Sequence, residues 1–366
     1  MPSFFVSPAL RSWVEVDPGA LRHNLAFVRR AIGQKPEILA VIKANAYGHG
    51  TGQVAQALAH DVAVFGVANL TEAQAVQAAE TGRRIMLLSP CLPSEREEAV
   101  AAGFIVTVSS AEEAESFAAF GKAVVNFKID TGMGRVGFAG GSAASEIARI
   151  AGRVDLHSVS THLPCSDEDE PFTRAQLEDF SRMAAEIRQL APGAKIHSLN
   201  SAGILKFPQH AEDIVRAGLV LYGISPLPEF QSEFRPALAW KTRVTLVKDL
   251  PAGAGVCYGR TFITSRPTRS AVLAAGYADG FPRQVSGKGA AVLIRGSRCP
   301  LLGRVTMDQI VVDATGAGDI GPGEEAVIIG SQGRETITAE DLAAQADTIA
   351  WDILTGIKGR VARIYP

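Results

Sequence analysis

Glu37-Ile38-Leu39-Ala40-Val41-Ile42-Lys43-Ala44-Asn45-Ala46-Tyr47-Gly48-His49-Gly50 is the stretch from which the rest of the chain can be read. Five apolar residues in succession, Ile38 to Ile42, predict a strand buried on both faces. Lys43 stands where that strand ends. A loop of small residues follows, with Tyr47, two glycines and His49, and a helical pattern begins at Thr51. A lysine at the buried mouth of a strand loses hydration, which disfavours its charged form and lowers its pKa. A neutral amine is what a Schiff base with a carbonyl needs. The plainer reading is a lysine whose ammonium reaches water past the strand end. Position alone does not separate the two.

Outward from this stretch a rhythm repeats. Apolar runs fall at Val62–Val67, Ile85–Leu88, Phe104–Val108, Val124–Ile129, Leu156–Ser160 and Ile196–Leu199, with a weaker one at Asp213–Arg216. Helical patterns separate most of them. Phe172 to Leu190 is the longest, and Thr71-Glu72-Ala73-Gln74 and Ser110-Ala111-Glu112-Glu113 are capping-type starts. Strands alternating with helices in this number predict an α/β chain with an N-terminal (β/α)8 TIM-type barrel rather than an open doubly wound sheet. Chemistry in such barrels sits at the C-terminal ends of the strands. Those ends carry Lys43, Asn69, Ser89, Ser109, Lys128 to Arg135, Thr161-His162, Asn200-Ser201 and Arg216 to Gly218.

Ahead of the barrel, Trp13 to Asp17 alternates as a short strand, and Pro18 to Ala31 reads as a helix. After Pro226 and Pro228 the character changes. Period-two stretches such as Thr242-Arg243-Val244-Thr245-Leu246-Val247 predict a mostly β C-terminal domain, punctuated by Gly and Pro. One helix, Ala339 to Leu354, and a last strand near Val361–Tyr365 close the chain. The expected division is 1–236 for the barrel and 237–366 for the β domain.

The bulk numbers narrow the class. At 366 residues the chain exceeds one ordinary core. A net charge of -2 gives no reason to expect nucleic acid or an anionic membrane as partner. No apolar run reaches the length of a membrane span. Phe4-Phe5-Val6 has no basic region before it and Pro8 follows, so no signal peptide is read and a cytoplasmic location is expected. Cys91, Cys165, Cys257 and Cys299 lie far apart, with no metal-ligand or disulfide spacing, so no metal is expected.

Three further constellations carry chemistry. Gly132-Met133-Gly134-Arg135-Val136-Gly137 matches G-x-G-x-x-G, but a dinucleotide fingerprint belongs to the first βα turn of its unit, and this is about the fifth. A tight turn, or a loop that lets Arg135 approach a ligand, is the better reading. Asp213 to Gly218 ends the eighth strand, where Gly218 and the next amide resemble a phosphate cradle to which Ser201 can add a hydroxyl; an ordinary ion-paired Arg216 is the plain alternative. Tyr277, in Gly276-Tyr277-Ala278-Asp279-Gly280, is an acid or base if a cation lowers its pKa of about 10, and otherwise a surface turn residue.

Together these stretches resemble alanine racemase, a pyridoxal-phosphate family with a barrel and a β domain. The similarity runs from Val16 to the C-terminus. It rests on Ala40 to Gly50, Asp130-Thr131-Gly132-Met133-Gly134-Arg135, Thr161-His162-Leu163, Asn200-Ser201, Gly276 to Gly280 and Met307-Asp308-Gln309, in the family's order. The resemblance implies an isomerase that interconverts L-alanine and D-alanine by two-base proton transfer through an external aldimine of pyridoxal 5'-phosphate. Lys43 would hold the cofactor and serve as one base. Tyr277, reaching over from the other subunit of a homodimer with shared sites, would be the second. Tyr47, Ser201 and the amides of Gly218 and Leu219 would hold the phosphate, with Asn200 beside them. Arg216 would face the pyridine nitrogen, and His162 would hydrogen-bond Tyr277. Arg135 would approach the phenolic oxygen and the substrate carboxylate, which the Met307 amide would also meet. Lys128 would be a candidate for carbamylation, and Asp167 and Arg304 would line the entrance. Trp351 departs from the pattern, since a tyrosine hydroxyl usually reaches the phosphate there; an indole N–H donates but cannot accept. The product would serve peptidoglycan synthesis, or the reaction would open alanine catabolism. A broad-specificity or serine racemase of the same fold is the alternative.

Overall fold

The fold was analysed in a computed structural model, which describes Ser7 and residues 9–366; Phe4-Phe5-Val6 lies outside the described residues. After a first strand, β1 (Ser12–Val16), eight strands run parallel around a ring: β2 (Glu37–Val41), β3 (Val64–Val67), β4 (Arg84–Leu87), β5 (Ile105–Val108), β6 (Val124–Lys128), β7 (Asp155–Ser160), β8 (Lys195–His197) and β9 (Ile214–Ala217). Their order is β8-β7-β6-β5-β4-β3-β2-β9. The ring shuts where Asp213 N donates to Ile196 O at 3.1 Å and Arg216 N to Leu199 O at 3.0 Å. Each of the eight apolar runs is thus a barrel strand. All residues of β3 and of β5 are buried, which is why those strands read as continuous apolar runs and not as alternation.

Helices fill the crossovers, and side-chain caps start them. Asn69, Ser110, Ser142 and Asp169 each accept the amide three residues on. One start differs from expectation. The helix Leu70–Gln77 is capped by Asn69, not begun at Thr71. Glu72 accounts for the difference: its carboxylate accepts Ala68 N at 2.8 Å and also reaches Ala44 N at 2.7 Å, just past Lys43. The long helix spans Glu170–Leu190.

The C-terminal unit is a sheet of β10 (Leu238–Leu250), β13 (Thr268–Leu273), β14 (Ala291–Ile294), β15 (Ser297–Pro300), β16 (Ile310–Asp313), β17 (Glu325–Gln332), β18 (Glu335–Ile337) and β19 (Ala362–Ile364), with β11 (Gly255–Val256) and β12 (Phe262–Ile263) as a separate hairpin. The expected single helix from Ala339 to Leu354 is two, Ala339–Ala346 and Ala350–Gly356. Asp347, at φ 54, turns left-handed between them, and Thr348 N closes back on Ala343 O at 3.0 Å.

The expected cut at residue 236 coincides with one boundary of the two units, but not with the whole division. The described residues through Pro18, together with Tyr47–His49, group with Ala237–Pro366; Gly19–Ala46 and Gly50–Pro236 form the barrel unit. The reason is β1. It lies in the C-terminal sheet, antiparallel to β10 from Ser12↔Thr242 to Val16↔Leu238 and parallel to β19. Trp13, Val14 and Val16 are buried there, and Trp240 Nε1 donates to Ser12 Oγ at 2.9 Å.

Within the barrel unit, Asn24 on the helix Pro18–Ile32 is wholly buried. Its amide donates to Leu221 O (3.0 Å) and Arg235 O (2.8 Å) and accepts Arg235 N (2.9 Å). Asn24→Ala takes the partner from three backbone groups, the buried Leu221 O and the part-buried carbonyl and amide of Arg235. At about 1–3 kcal/mol for each group left unsatisfied, urea unfolding should show a loss of at least about 2 kcal/mol; a change near zero would mean water replaces the amide.

Candidate active site

Lys43 follows β2 directly, and the chain then does something small residues did not advertise. Ala44, Asn45, Ala46 and Tyr47 have φ of 52, 53, 52 and 51 degrees. This is a left-handed turn and not a plain loop, at roughly 1–2 kcal/mol per non-glycine residue. Ala46 N donates to Ile42 O and Gly50 N to Asn45 O, both at 2.9 Å, while Asn45 Oδ1 takes Thr51 N at 3.1 Å. Lys43 is half-buried, and its pKa is lowered, chiefly by burial and then by Arg135, against the opposing pull of Glu72.

Arg216 is the hub of the barrel mouth. It is 5% exposed. Its Nη1 donates to His197 Nδ1 (2.8 Å) and His197 O (3.1 Å). Its Nη2 donates to Thr161 O (2.8 Å) and Ser198 O (2.6 Å) and lies 3.3 Å from His162 Nδ1. Nε has no hydrogen bond among the described residues. Burial draws the guanidinium down to about 10, so it stays protonated at neutral pH. Around it charge is suppressed. Burial, then Arg216, Lys128, Arg135 and Lys43, push His162 down to about 2. Burial and the same arginine hold His197 well below its ordinary value. Lys128 is driven far down by burial, then Arg216 and Arg135, with Asp130 opposing.

The glycine pattern proves to be a loop folded around one carboxylate. Asp130 Oδ1 accepts Gly132 N (2.9 Å) and Met133 N (2.7 Å), and Oδ2 accepts Arg135 N (3.1 Å). Burial alone would raise the Asp130 carboxyl, but these amides and that of Gly134 together carry it below its usual range. Gly137 closes the loop, since a Cβ there would sit 2.6 Å from Asp130 N. Arg135 is exposed at its tip.

At the far side of the ring, Asn200 caps the helix Ser201–Lys206 and donates to Leu163 O at 3.1 Å. Ser201 Oγ accepts Gly218 N at 3.0 Å. Gly218 and Leu219 are buried and open the turn Leu219–Tyr222. Lys43, Lys128, Arg135, His162, Asn200, Ser201, Arg216, Gly218 and Leu219 therefore all belong to the barrel unit, at the ends of its strands.

Tyr277, Met307 and Trp351 belong to the C-terminal unit, with Tyr47. Tyr277 and Met307 are brought together: Tyr277 N donates to Thr306 O at 3.1 Å and Ala278 N to Met307 O at 3.0 Å. Gly276 permits this approach, because a Cβ would lie 2.3 Å from Met307 O. Arg360 locks the pair, bonding Asp279 at 2.6 and 3.0 Å and Asp308 at 2.8 Å. Tyr277 is 40% exposed and Met307 53%. Tyr47 is buried, which pushes its phenol up to about 12 and keeps it a donor. Arg363 Nε and Tyr365 Oη hold the next two carbonyls, Gly48 O and His49 O. Trp351 is half-buried, and Asp167 and Arg304 are exposed.

The sequence reading missed His197, Asn126, Ser158, Asp130's anchoring role and the Arg360 lock. A signal existed for two of them. Asn126 and Lys128 alternate with apolar residues along β6, and Ser158 and Ser160 do so along β7, as inward-facing barrel positions should.

Comparison with known proteins agrees with the geometry. Family models described as alanine racemase, N-terminal domain, and alanine racemase, C-terminal domain, match residues 16–226 and 237–365. The chain is 39% identical to an alanine racemase of Methylacidiphilum infernorum, over 97% of this chain and 92% of that one. Among solved structures it is similar to alanine racemase of Clostridium difficile 630, at TM-score 0.92 and 31% identity, covering 99% and 97%. A second is that of Bartonella henselae, described with covalently bound pyridoxal phosphate, at TM-score 0.87 and 27% identity, covering 97% and 99%.

Three histidines, His157 and His197 buried and His162 half-buried, give the barrel unit a pH signature. His157 is pushed to about 4 and His162 to about 2, both mainly by burial, and His197 is held well below its ordinary value. Below about pH 6.5 the unfolded chain binds protons that the folded chain refuses, so stability rises with pH through this window. Unfolding should therefore become easier from pH 7.5 to 5.5, by up to about 4 kcal/mol for three such groups. Chemical denaturation at the two pH values measures it, and equal midpoints would contradict the assigned neutral states.

Proposed function

The chain belongs to the alanine racemase family, and from that premise we propose that it interconverts L-alanine and D-alanine with pyridoxal 5'-phosphate carried on Lys43. The observation behind this reading is a charge-suppressed amine in the same barrel mouth as a buried guanidinium with one donor unspent. These groups fit the cofactor. An amine whose pKa is lowered would meet an aldehyde; Arg216 Nε would meet a ring nitrogen; the Ser201 hydroxyl, which already takes the Gly218 amide, and the Leu219 amide, with Asn200 beside them, would meet a phosphate. Tyr47 and Trp351 add further donors, the indole standing where the family usually has a phenol.

When bound, pyridoxal phosphate withdraws electrons from Cα of an attached amino acid and makes its proton removable. The chain does the rest. Arg216 stays cationic and can only donate, so it leaves the ring nitrogen unprotonated. That restrains electron withdrawal and favours return of the proton over side reactions. Lys43 moves the proton on one face of Cα and Tyr277 on the other, because inversion needs two bases on opposite sides. Arg216 Nη2, its two hydrogens given to Thr161 O and Ser198 O, lies 3.3 Å from His162 Nδ1; facing that donor group, the neutral imidazole carries its hydrogen on Nε2. From there it can donate to the Tyr277 phenolate and stabilise it. Arg135 and the Met307 amide bind the substrate carboxylate. Lys128, whose pKa is driven down by burial and by Arg216 and Arg135, is open to carbamylation, which would set an anion beside Arg135.

Tyr277 of the partner subunit completes each site of a homodimer. The exposure of Tyr277 and Met307 on the C-terminal unit supports this. No helix among the described residues is long and apolar enough to cross a membrane. Action in the cytoplasm, supplying D-alanine for peptidoglycan or opening alanine catabolism, accords with the reading.

Borohydride treatment followed by digestion should leave pyridoxyl mass on Lys43, and alanine should be racemised faster than serine or lysine. Label elsewhere overturns the cofactor assignment; faster serine turnover makes it a serine or broad-specificity racemase. Tyr277→Phe should abolish proton exchange from L-alanine and partly spare exchange from D-alanine, whereas equal loss on both enantiomers counts against two bases. Co-expression of Lys43→Ala with Tyr277→Phe chains should restore activity that neither has alone, since a mixed dimer rebuilds one intact site. No recovery would exclude shared sites.

A further inference from the structure

A row of polar side chains crosses the barrel interior beneath the site. Thr107 on β5, Asn126 on β6 and Ser158 on β7 stand opposite one another in register. All three are buried, as is His197 on β8. Asn126 Nδ2 donates to Thr107 Oγ1 at 3.1 Å. Ser158 Oγ donates to Asn126 Oδ1 at 3.0 Å, and His197 Nε2 lies 3.1 Å from that same oxygen. His197 Nδ1 meets Arg216 Nη1 at 2.8 Å. We propose that Asn126 is a positioning residue for Arg216: by accepting from His197 Nε2, it holds the imidazole with its bare Nδ1 toward the guanidinium.

The direction of each bond follows from chemistry. Arginine only donates, so Nδ1 of His197 must be unprotonated. A neutral imidazole then carries its hydrogen on Nε2, where Asn126 Oδ1 accepts it. The amide cannot turn over, because its NH2 would then face the Nε2–H of His197, itself a donor. The neighbouring His157 fits the same pattern. Its Nδ1 lies 3.1 Å from Ser158 Oγ, whose hydrogen is already given to Asn126, so His157 must donate from Nδ1. Two histidines of adjacent strands thus hold opposite tautomers, both fixed by one amide. Without that amide, Nε2–H is stranded in the barrel. The ring can then regain a partner only by turning, which takes Nδ1 from Arg216 and lets the guanidinium drift.

Given the reading that Arg216 meets the cofactor ring, on which this inference rests, drift of Arg216 should lower turnover and leave substrate binding nearly alone. The substrate is held by other groups, Arg135 and Met307. Asn126→Leu fills the same space but cannot accept. Asn126→Asp keeps an oxygen for Nε2–H. Ser158→Ala removes a neighbour of the same oxygen without freeing the imidazole.

The test uses holoenzyme labelled with ¹⁵N-histidine, the His197 signal being assigned among seven histidines by His197→Gln. In the native enzyme His197 should be the neutral Nε2–H form and His157 the Nδ1–H form from pH 6 to 9. Asn126→Leu should shift or mix the His197 tautomers and lower kcat at least tenfold, with KM for alanine changed less than threefold. Asn126→Asp should restore both the tautomer and kcat to within threefold, and Ser158→Ala should lose less than twofold. Where the leucine chain does not fold, Asn126→Ser, too short to reach the imidazole, takes its place with the same expectation. A leucine or serine variant with native His197 signals and native kcat overturns the inference. So does equal loss in Ser158→Ala, which would mean packing alone. If no variant, nor the native chain, racemises alanine, the functional reading has failed, and the nitrogen signals still report whether Asn126 sets His197.

Discussion

A guanidinium buried with no carboxylate bonded to it among the described residues is the constraint on which the barrel mouth depends. Arg216 bonds to the carbonyls of Thr161, His197 and Ser198 and to two imidazole nitrogens. Burying a charge is costly unless its hydrogen bonds are made. Here neutral acceptors make them, and the positive charge remains uncancelled. That charge helps hold His162 and His197 neutral and helps lower the pKa of Lys128. A carboxylate in the same place would have solvated the arginine as well, but it would have raised the proton affinity of every neighbour. The cationic mouth instead waits for an anion brought from outside, which a phosphate-bearing cofactor supplies.

Strain is concentrated beside the amine. Four successive left-handed residues after Lys43 cost several kcal/mol on the order of 1–2 each. Such a conformation persists only where its surroundings over-determine it. Glu72 takes the Ala44 amide, Asn45 takes that of Thr51, and Arg363 and Tyr365 take the carbonyls of Gly48 and His49. The turn is thereby fixed from both sides of its sequence. Lys43, immediately before the turn, is carried on a backbone that is held.

The legibility of the chain follows the range of the forces involved. The eight barrel strands were visible because burial on both faces demands apolar runs, whatever they pack against. Asn69's claim on the helix start was less visible than Thr71's, because it depends on where the Glu72 carboxylate goes. The left-handed turn was not visible at all: alanine has no preference for that region, and only neighbours remote in sequence impose it. The place of β1 was hidden for a related reason. Its alternation says strand, but its partners Leu238–Thr242 and Ala362–Ile364 lie beyond the whole barrel, and no local pattern encodes them. At the site, residues that touch ligand come in recognisable stretches, whereas Asn126 and Ser158 reveal themselves only as polar interruptions of a buried strand.

The two units solve the problem of rigidity differently. In the barrel, functional side chains come from separate strands, so their spacing is inherited from the ring, and Arg216, Asn200 and Ser201 are fixed by hydrogen bonds of their own. In the C-terminal unit, Tyr277 and Met307 sit on two loops that would wander independently. Backbone bonds from Tyr277 N and Ala278 N zip those loops together, Gly276 lets them close, and Arg360 spans Asp279 and Asp308 across the seam. A phenol and a backbone amide therefore move as one edge, with their separation set before any ligand arrives. An exposed edge can keep such precision because backbone carries it: main-chain donors have no rotamers to lose, and the ordering cost falls on folding, not on binding.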